Sequence, residues 1–554
     1  MTLSAMCTVH RFIIVLSGYI FIISTTITNV ESANILFLLP VPSASHRLWN
    51  NVLIEGLEER GHNLTVLTVE MERSRQNVTF IYMRNIYESQ DEYFNKENGN
   101  TRFNLRQKSP LTVIKENYQL GNYLSRKMFA SKGFEQLLNY PKTFKFDAII
   151  FDYTMGQSLL GFVDYFGNPP LISVSPHSHP LRLNAASSTQ ILPSYISHYS
   201  MLSTTKSLRE AISERFMNAF IYHTFDWFYA SHIYMKNENL RVWKVFGMKN
   251  EKLLSIDHLE YSDLVLINRN FAFDDIFPLP PNVIPVAGLQ AQRINEVPNH
   301  DVITFIEHSE KPIILFTMGS SMLAEDLGYE IMHEIMNAFR ELNDFSIICK
   351  CNEKFIRKSS RPQNVLFVEW MQQNEILGNS KLHLVITQGG MLTIQEAIWH
   401  AKPILGLPIQ IDQHRNMNRA IELGFAESIN VRNFTAIEIV IKVRMMIESP
   451  IYHVNVRKAS ELMKSQSPLM PKELAIFWIE QVVKHKGLSH LQSEARMFNF
   501  FKLYLIDIIS IIVIIFLIYI LIIQYHIIKG WLLSKHRTID EDKVMNEIDK
   551  LKNE

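Results

Sequence analysis

Residues 370–413 contain three informative stretches: W-M-Q-Q-N-E-I-L at 370–377, V-I-T-Q-G-G-M-L-T-I-Q-E-A-I at 385–398 and K-P-I-L-G-L-P-I-Q-I-D-Q at 402–413. The short apolar runs at 384–387 and 404–407 predict buried strands. The residues between them predict a helix opened by a glycine pair. Strand, helix and strand in this order indicate a parallel sheet in an α/β fold.

The polar and aromatic side chains of this segment suit three parts of one ligand. The face of Trp370 can stack on a flat base. Backbone N–H groups at a helix start opened by Gly389 and Gly390 can approach a diphosphate. Glu396 can accept both hydroxyls of a ribose, and the Asp-Gln pair at 412–413 can bind the hydroxyls of a sugar. Together these groups predict a site for a nucleotide-activated sugar.

The segment resembles the signature of the UDP-glycosyltransferases, which runs Trp-x-Pro-Gln, then His-Gly-Gly or His-x-Gly, then Glu eight residues after that His, then Pro-x-x-x-Asp-Gln. The residues that match it at the right spacing are Trp370, Gln373, Gly390, Glu396, Pro408, Asp412 and Gln413. Two residues depart from it. Gln372 replaces the proline, and Gln388 replaces the histidine that contacts the diphosphate in the family. Because glutamine donates a hydrogen bond but cannot become cationic, we expect this position to keep its geometry and lose charge stabilisation.

A second loop on the donor side, F-T-M-G-S-S at 316–321, resembles the family's Phe-Ser-x-Gly-Ser loop. Gly319 would allow close approach, and Ser320 or Ser321 can donate to the diphosphate. Together with the glycine pair and Thr393, this loop is expected to form a mostly neutral cradle for the UDP-sugar.

Two series of strand candidates suggest two domains. The first includes the apolar opening A-N-I-L-F-L-L-P, the run L-T-V-L-T, and residues 148–151 and 171–174; the second includes 313–317, 347–351, 365–368, 384–387 and 404–407. The proline-rich stretch 278–289 suits a connector. The resemblance then implies two facing Rossmann-like domains, the GT-B arrangement, with an acceptor domain at 33–285 and a UDP-sugar domain at 286–490.

His46 is the candidate catalytic base. It follows the first strand and a proline-rich turn, at the start of a helix expected over 45–60, and ligands in open α/β sheets bind beyond the carboxyl ends of strands. A helix N-terminus disfavours a cation, which keeps imidazole neutral and able to accept a proton. The family places its catalytic histidine in this turn.

Asp152 is the candidate partner of that base, because it ends the strand A-I-I-F-D. A carboxylate on the other ring nitrogen fixes the tautomer and stabilises the imidazolium. Asp147 precedes the strand and should lie at the opposite edge of the sheet. Some animal members of the family place the acid a few residues later, where this chain has Gln157, so that alternative stays open.

Net charge, cysteines and acidic motifs give no reason to expect a nucleic-acid partner, a disulfide or a metal site. The formal net charge of the 554 residues is zero, which gives no reason to expect a nucleic-acid partner. Of the three cysteines, Cys7 lies in a segment expected to be removed, while Cys349 and Cys351 stand two apart on a predicted strand, a poor geometry for a disulfide. No paired-aspartate metal motif stands out, since Asp274 and Asp275 are expected to be solvated. We therefore expect metal-independent transfer without a cofactor, as in the family.

The two ends of the chain suggest membrane attachment. Residues 1–32 resemble a secretory signal peptide, with an uncleaved anchor as the alternative. Residues 503–523 are almost entirely apolar and long enough to span a bilayer. Because basic residues flank this span equally, the signal peptide decides the orientation. We expect a single-pass type I protein with luminal catalytic domains and a cytosolic tail at 524–554.

Short motifs agree with this placement. Three glycosylation sequons begin at Asn63, Asn77 and Asn433. Lys550 and Lys552 stand five and three residues from the C-terminus, which resembles a dilysine-type retrieval signal and predicts the endoplasmic reticulum membrane. A charged helical tail without an address is the alternative.

These features imply an inverting transfer of a hexose from a UDP-sugar to a small lipophilic acceptor, a detoxification type of reaction. UDP-glucose is favoured over UDP-glucuronate, because the full-length pattern resembles the insect-type branch, whose members mostly use glucose. Aromatic residues at 190–260 are either core or the wall of an acceptor pocket. The alternative function is a non-catalytic relative that binds a ligand or partner, marked by Gln372 and Gln388. A homo-oligomer is possible.

Overall fold

The computed structural model describes residues 32–98, 109–141, 143–177, 192–198, 201–202, 205–225, 235–247, 262–292, 299–320, 322–498 and 500–553. The signal peptide predicted at 1–32, except its last residue, lies outside the described residues, as do Ser321 and much of the aromatic-rich region. The chain divides into two compact units, Met1–Gln492 and Ser493–Glu554.

The first unit contains two parallel sheets. The strands of the first sheet are β1 (Asn34–Leu39), β2 (Asn63–Thr68), β3 (Val78–Tyr82), β4 (Ala148–Asp152), β5 (Leu171–Ser175), β6 (Leu264–Ile267) and β7 (Val283–Pro285). Their order is β3-β2-β1-β4-β5-β6-β7, and every pairing is parallel.

The second sheet has the order β10-β9-β8-β11-β12-β13, again with only parallel pairings. Its strands are β8 (Ile313–Thr317), β9 (Ser346–Lys350), β10 (Val365–Val368), β11 (Leu382–Thr387), β12 (Ile404–Gly406) and β13 (Ala426–Ser428). The two series of strands predicted from the sequence are therefore confirmed, with ends shifted by no more than two residues.

Helices connect the strands. In the first half they are α1 (Ala44–Glu59), α2 (Ile86–Asn98), α3 (Pro110–Phe129), α4 (Lys132–Leu138), α5 (Gly161–Tyr165), α6 (Thr205–Glu210), α7 (Ile212–Phe220) and α8 (Met235–Phe246). In the second they are α9 (His300–His308), α10 (Tyr329–Glu341), α11 (Gln373–Leu377), α12 (Met391–Trp399), α13 (Ile411–Glu422), α14 (Ala436–Glu448), α15 (Pro450–Lys464) and α16 (Pro471–His485).

Local sequence explains several helix starts. The side chain of Ser109 accepts a hydrogen bond from Thr112 N, and a proline occupies the first position of α3, where its missing N–H costs nothing. The side chain of Thr435 caps α14 in the same way, by accepting from Glu438 N.

Both sheets are buried on both faces, which explains the continuous apolar runs. In β1, Leu36 and Leu38 belong to one hydrophobic cluster, while Ile35 and Phe37 belong to another on the opposite face. The second sheet repeats this alternation along β8. A parallel strand covered by helices on each side needs apolar residues at every position.

The stretch 278–289, predicted as a connector, contains a strand. Its residues Val283–Pro285 form β7, which pairs with β6 through Val265, Leu266 and Ile267. Proline is tolerated there because β7 is the edge strand of its sheet. The short runs that form β6 and β13 and the mixed run that forms β3 were not predicted as strands.

Helix α16 follows the second sheet in sequence but packs on the first. Its apolar residues Ala475, Ile476 and Ile479 share a buried cluster with Trp49 and Leu53 of α1. The chain therefore crosses back, and the two halves are joined by more than the segment between β7 and β8.

The second unit contains α17 (Phe500–Leu503) and a long helix, α18 (Ile506–Lys552). Helix α18 has 47 residues, none of them buried, and its most apolar window has a mean hydropathy of 3.2. At 1.5 Å per residue it is about 70 Å long, more than a bilayer requires. It begins three residues after the start of the predicted span and continues through the predicted tail, so Lys550 and Lys552 are helical.

Strand order reverses once in each sheet, between β1 and β4 and between β8 and β11. At such a switch point the connections leave in opposite directions and open a crevice beyond the carboxyl ends of the strands. Both groups of predicted site residues lie at these two crevices.

Candidate active site

The crevice of the first sheet brings His46 and Asp152 together. His46 is the third residue of α1, which begins directly after β1, and Asp152 is the last residue of β4. His46 Nδ1 lies 2.7 Å from Asp152 Oδ2, and the two residues are 2% and 0% exposed. The contact joins residues 106 positions apart in sequence, and it is the pairing that the sequence suggested.

Four donors surround the Asp152 carboxylate. Oδ2 accepts from Asn50 Nδ2 at 3.1 Å in addition to His46, and Oδ1 accepts from Thr154 N at 3.1 Å and Thr154 Oγ1 at 2.7 Å. Burial would raise the pKa of Asp152, but His46 and the bonds from Thr154 outweigh it and lower that pKa below its usual value. The carboxylate is thus ionised and can only accept.

An acceptor-only partner fixes the tautomer of His46. Because Asp152 accepts at Nδ1, that nitrogen carries the proton of the neutral ring, and Nε2 keeps the lone pair. The ring can therefore take a proton at Nε2, while Asp152 stabilises the resulting charge.

A second histidine, His177, lies beside this pair. Its ring centroid is 5.0 Å from that of His46, with the planes tilted by 48°. Burial and the neighbouring His46 lower the pKa of His177 to about 4, with Asp152 opposing them. His177 is therefore neutral at pH 7.

The alternatives considered for the acid lie elsewhere. Asp147 stands at the amino edge of the sheet, where its Oδ2 accepts from Asn34 N at 2.8 Å, as expected. Gln157 is buried, and its side-chain amide donates to Asn239 Oδ1. Neither residue is among the partners of His46 in the part of the chain that the structure describes.

The crevice of the second sheet collects the predicted donor residues. Trp370 follows β10 and is 49% exposed, so its ring is accessible. Lys350, at the end of β9, places its Nζ 4.7 Å from the centroid of that ring and donates to Gly319 O at 2.8 Å. Burial lowers the pKa of Lys350, while Glu396 and Glu325 act in the opposite direction.

Gln373 organises the carboxylate of Glu396. Its Nε2 donates to Glu396 Oε2 at 2.7 Å and to Thr393 Oγ1 at 3.2 Å, and its Oε1 accepts from Thr317 Oγ1 at 3.1 Å. Glu396 is 7% exposed. Burial raises the pKa of Glu396 to about 7, although the Gln373 hydrogen bond opposes this. The group is therefore close to half ionised at neutral pH.

Two glycines shape the diphosphate end of this crevice. Gly319 has φ +73°, and a Cβ there would come within 2.7 Å of Gln388 Nε2. Gly389 has φ +85°, and its Cβ would meet Met417 Cγ at 2.7 Å. Gly390 is the N-cap of α12. Gln388, whose side chain is buried, stands two residues before it. The Gln388 side chain therefore lies against the loop at Gly319, and Met417 of α13 lies against Gly389.

Asp412 and Gln413 lie in different surroundings. Gln413 is buried, and its Oε1 accepts from Ile409 N and Gln410 N, both at 2.9 Å, which closes the loop before α13. Asp412, one residue earlier in the first turn of α13, is exposed. The Oε1 atom of Gln413 is thus engaged by the main chain, whereas the Asp412 side chain is accessible.

The expectation that Asp274 and Asp275 are solvated is wrong. Asp274 is 7% exposed and lies 3.9 Å from Arg269, while Asp275 pairs with Arg415 at 2.8 Å. Among the described residues, no three His, Cys, Asp or Glu side chains form a group that could hold a metal ion. Cys349 and Cys351 are buried free thiols, in agreement with their predicted place in the core.

The sequence missed four residues of these crevices: Asn50, Thr154, His177 and Lys350. Asn50 had a usable signal, because it stands four residues after His46 and so on the same helix face. Lys350 is the last residue of the mainly apolar strand β9, and only the tertiary structure brings it to Trp370.

The two parallel sheets and their crevices have the GT-B fold. The solved structure of the calicheamicin glycosyltransferase matches with a TM-score of 0.54 at 13% identity, over 82% of this chain and 99% of that one. The dTDP complex of the glycosyltransferase VinC matches with a TM-score of 0.52 at 14% identity, over 82% and 99%. These likenesses show the fold.

The family model described as "UDP-glucoronosyl and UDP-glucosyl transferase" matches residues 35–540, and the chain belongs to that family. UDP-glucosyltransferase 2 of Dactylopius coccus is 25% identical over 91% of this chain and 94% of its own length. UDP-glucuronosyltransferase 3A1 of Homo sapiens is 32% identical over 44% and 47%. The predicted family and fold are confirmed, and the protein is a UDP-glycosyltransferase with a C-terminal apolar helix suited to membrane anchoring.

Proposed function

We propose that this enzyme transfers glucose, in preference to glucuronate, from its UDP conjugate to a hydroxyl of a small lipophilic acceptor, with inversion at the anomeric carbon. The observation that carries this proposal is the buried His46–Asp152 pair, with Nε2 of the histidine left as the proton acceptor. A positioned base next to an acceptor hydroxyl is the group that direct displacement requires.

In the proposed step, Nε2 of His46 takes the hydroxyl proton as the acceptor oxygen bonds to the anomeric carbon. The bond from that carbon to the diphosphate oxygen breaks, and UDP leaves with the electron pair. Asp152 stabilises the imidazolium that forms. One displacement, without a covalent enzyme intermediate, inverts the anomeric configuration.

On the donor side, Trp370 would stack on uracil and Glu396 would bind the ribose. The backbone around Gly319, and that around Gly390 at the start of α12, would supply fixed dipoles to the diphosphate as its charge develops. Ser320 and Thr393 add hydroxyl donors. The exposed Asp412 and the amide of Gln413 would hold the sugar hydroxyls.

The preference for glucose rests on two supports. One relative that matches nearly full length is named a UDP-glucosyltransferase, whereas the UDP-glucuronosyltransferase 3A1 of Homo sapiens matches over less than half of the chain. An exposed Asp412 where the sugar is held would also disfavour a second carboxylate. The lipophilic acceptor is supported by apolar side chains that stay exposed on α7 of the acceptor half: Ile212, Phe216 and Phe220.

The test uses microsomes that contain the full chain, labelled UDP-glucose or UDP-glucuronate, and a panel of phenols and alcohols. We expect transfer of glucose, with a β-linked product from the α-linked donor. Transfer of glucuronate alone, or a retained configuration, would contradict the proposal. Normal binding of UDP with no transfer of either sugar would favour the non-catalytic alternative.

For location, we propose a single-pass type I protein of the endoplasmic reticulum with its catalytic half luminal, supported by the apolar helix α18 and the sequons at Asn63, Asn77 and Asn433. Asn63 and Asn433 are exposed, and Asn77 is partly exposed. External protease on sealed microsomes should remove only residues after about 525. A tail epitope that survives digestion would reverse the orientation.

A further inference from the structure

Helix α13 contacts the acceptor half through Arg415. Its Nη2 pairs with Asp275 Oδ2 at 2.8 Å, and its Nη1 donates to Ser197 O at 3.3 Å. Asp275 lies beyond the carboxyl end of β6 in the first sheet, and Arg415 lies beyond the carboxyl end of β12 in the second. The pair therefore joins the two sheet edges at which the two crevices open.

The segment that contains Asp275 also contains two buried charged side chains. Arg269, 2% exposed, lies 3.9 Å from Asp274 and over the ring of Phe277, and its Nη2 donates to Asp275 O. Two arginines and two aspartates thus form a cluster in which positive and negative charges balance. A buried charge is costly without a partner; Arg269 has Asp274 as its partner and also fixes the main chain of Asp275.

Two further bonds fix α13 between the halves. Arg419, one turn after Arg415, donates from Nε to Phe273 O at 2.8 Å. Asn416 donates from Nδ2 to Gly389 O at 3.1 Å, in the glycine turn of the donor crevice. The same helix carries Asp412 and Gln413 in its first turn. Arg415 thus reaches the acceptor half, while Asn416 and the first turn of the helix belong to the donor crevice.

We propose that Arg415 is a positioning residue for sugar transfer: through Asp275 and Ser197 it sets the helix that carries Asp412 and Gln413 at a fixed distance from the acceptor half. This proposal rests on the proposed role of that pair in holding the donor sugar. Arg415 need not touch either substrate, because it acts by fixing where the anomeric carbon stands relative to His46. A small misplacement of reacting groups costs rate more than affinity.

A double-mutant cycle of Arg415→Gln and Asp275→Asn tests this in the full chain. Each single variant should lower kcat at least tenfold, with the Kd of UDP within twofold of wild type, because the uracil and ribose contacts are remote. The double variant should be no slower than the slower single variant, since both remove one contact. Additive losses, unchanged kcat, or a loss of UDP affinity parallel to kcat would overturn the proposal.

Arg444→Gln is the matched control. Arg444 makes a two-bond pair with Asp344 at 2.7 and 2.8 Å, but both residues belong to the second half and the pair is more exposed. This variant should keep the wild-type kcat. If it lost activity to the same extent as Arg415→Gln, loss of any ion pair would explain the effect, and the proposal would fall.

Hydrogen exchange separates this proposal from the proposed function. In wild type, UDP-glucose should slow exchange in residues 192–198 severalfold, and Arg415→Gln should abolish that protection. If wild type transferred another sugar but not glucose, and showed the protection, the proposed donor would be wrong while the role of Arg415 stood. If wild type transferred glucose but 192–198 were not protected, the role of Arg415 would be wrong and the proposed function would stand.

Discussion

Each sheet has one crevice, at the carboxyl edge where its strand order reverses. The two crevices differ in the charge of the side chains that line them. At the edge of the first sheet, a fully hydrogen-bonded carboxylate holds one histidine, and the pKa of Asp152 is lowered. At the edge of the second, the buried Glu396 has a raised pKa, the neutral Gln388 lies beside Gly319, and Lys350 donates to Gly319 O. The strand order therefore places both crevices, and the neighbouring side chains decide the charge of each.

Under the proposed mechanism, the residues of the first edge determine kcat and those of the second determine the affinity for the donor. A fixed base contributes only while a proton moves, whereas the partners of uracil, ribose and diphosphate act in the bound ground state as well. Substitutions in the first edge should change kcat, and substitutions in the second should change the Kd of the donor.

The largest effect is expected for His46→Ala. Because the variant removes the base, we expect kcat to fall by at least ~10²-fold while the Kd of UDP is unchanged. Turnover and UDP titration on the same preparation check this. His300→Ala, on the exposed start of α9, is the control and should behave as wild type. A parallel loss of UDP affinity would point to misfolding instead of catalysis.

The sequence predicted side chains that stand at a readable strand end, and it missed or misjudged those placed by contacts between distant parts of the chain. His46 and Asp152 each follow a continuous apolar run, so their position at a strand end was readable. Asp275 was misjudged because its partner Arg415 lies 140 residues away. Lys350 was missed because nothing near it in sequence shows that β9 ends beside Trp370. Contacts between strands that are distant in sequence cannot be inferred from local periodicity.

Glu396→Ala should give the next largest effect, on the second edge. Loss of the charge-assisted bonds to ribose should weaken UDP-glucose binding by about 1.5–3 kcal/mol. Titration with UDP-glucose measures the change, and kcat at saturating donor should fall much less. Glu330→Ala, which removes an exposed carboxylate in the first turn of α10, serves as the control. An unaltered donor Kd would remove the ribose role.

The raised pKa of Glu396 gives a smaller, pH-dependent effect. The carboxylate accepts ribose hydroxyls best when ionised, and its pKa of about 7 means that the ionised form gains population as pH rises. UDP-glucose should therefore bind about tenfold more tightly at pH 8 than at pH 6. UDP-glucose is the right probe, because its diphosphate has no ionisation in this range. Glu396→Gln should flatten the profile, and a wild-type profile that is already flat would contradict the prediction.

The smallest effect is expected for Gln388→His, which would restore the histidine of the family pattern at the second edge. Gln388 Nε2 would lie 2.7 Å from a Cβ at Gly319 and 3.4 Å from one at Gly390, so its side chain faces both loops of the cradle. A protonated imidazole there would add a positive charge beside the departing diphosphate, which glutamine cannot supply.

Two features limit that gain. The start of α12 disfavours a cation, and Lys350 already places an ammonium group against Gly319 O. We therefore expect kcat to rise by less than about tenfold, or ~1.4 kcal/mol, and to rise more at pH 6 than at pH 8, because only the protonated ring carries charge. Gln388→Asn is the control, since it shortens the amide without adding charge. A strong loss of kcat in Gln388→His would instead show that the pocket depends on the glutamine, and the second edge would then be neutral by adaptation to its donor and not by loss of a cation.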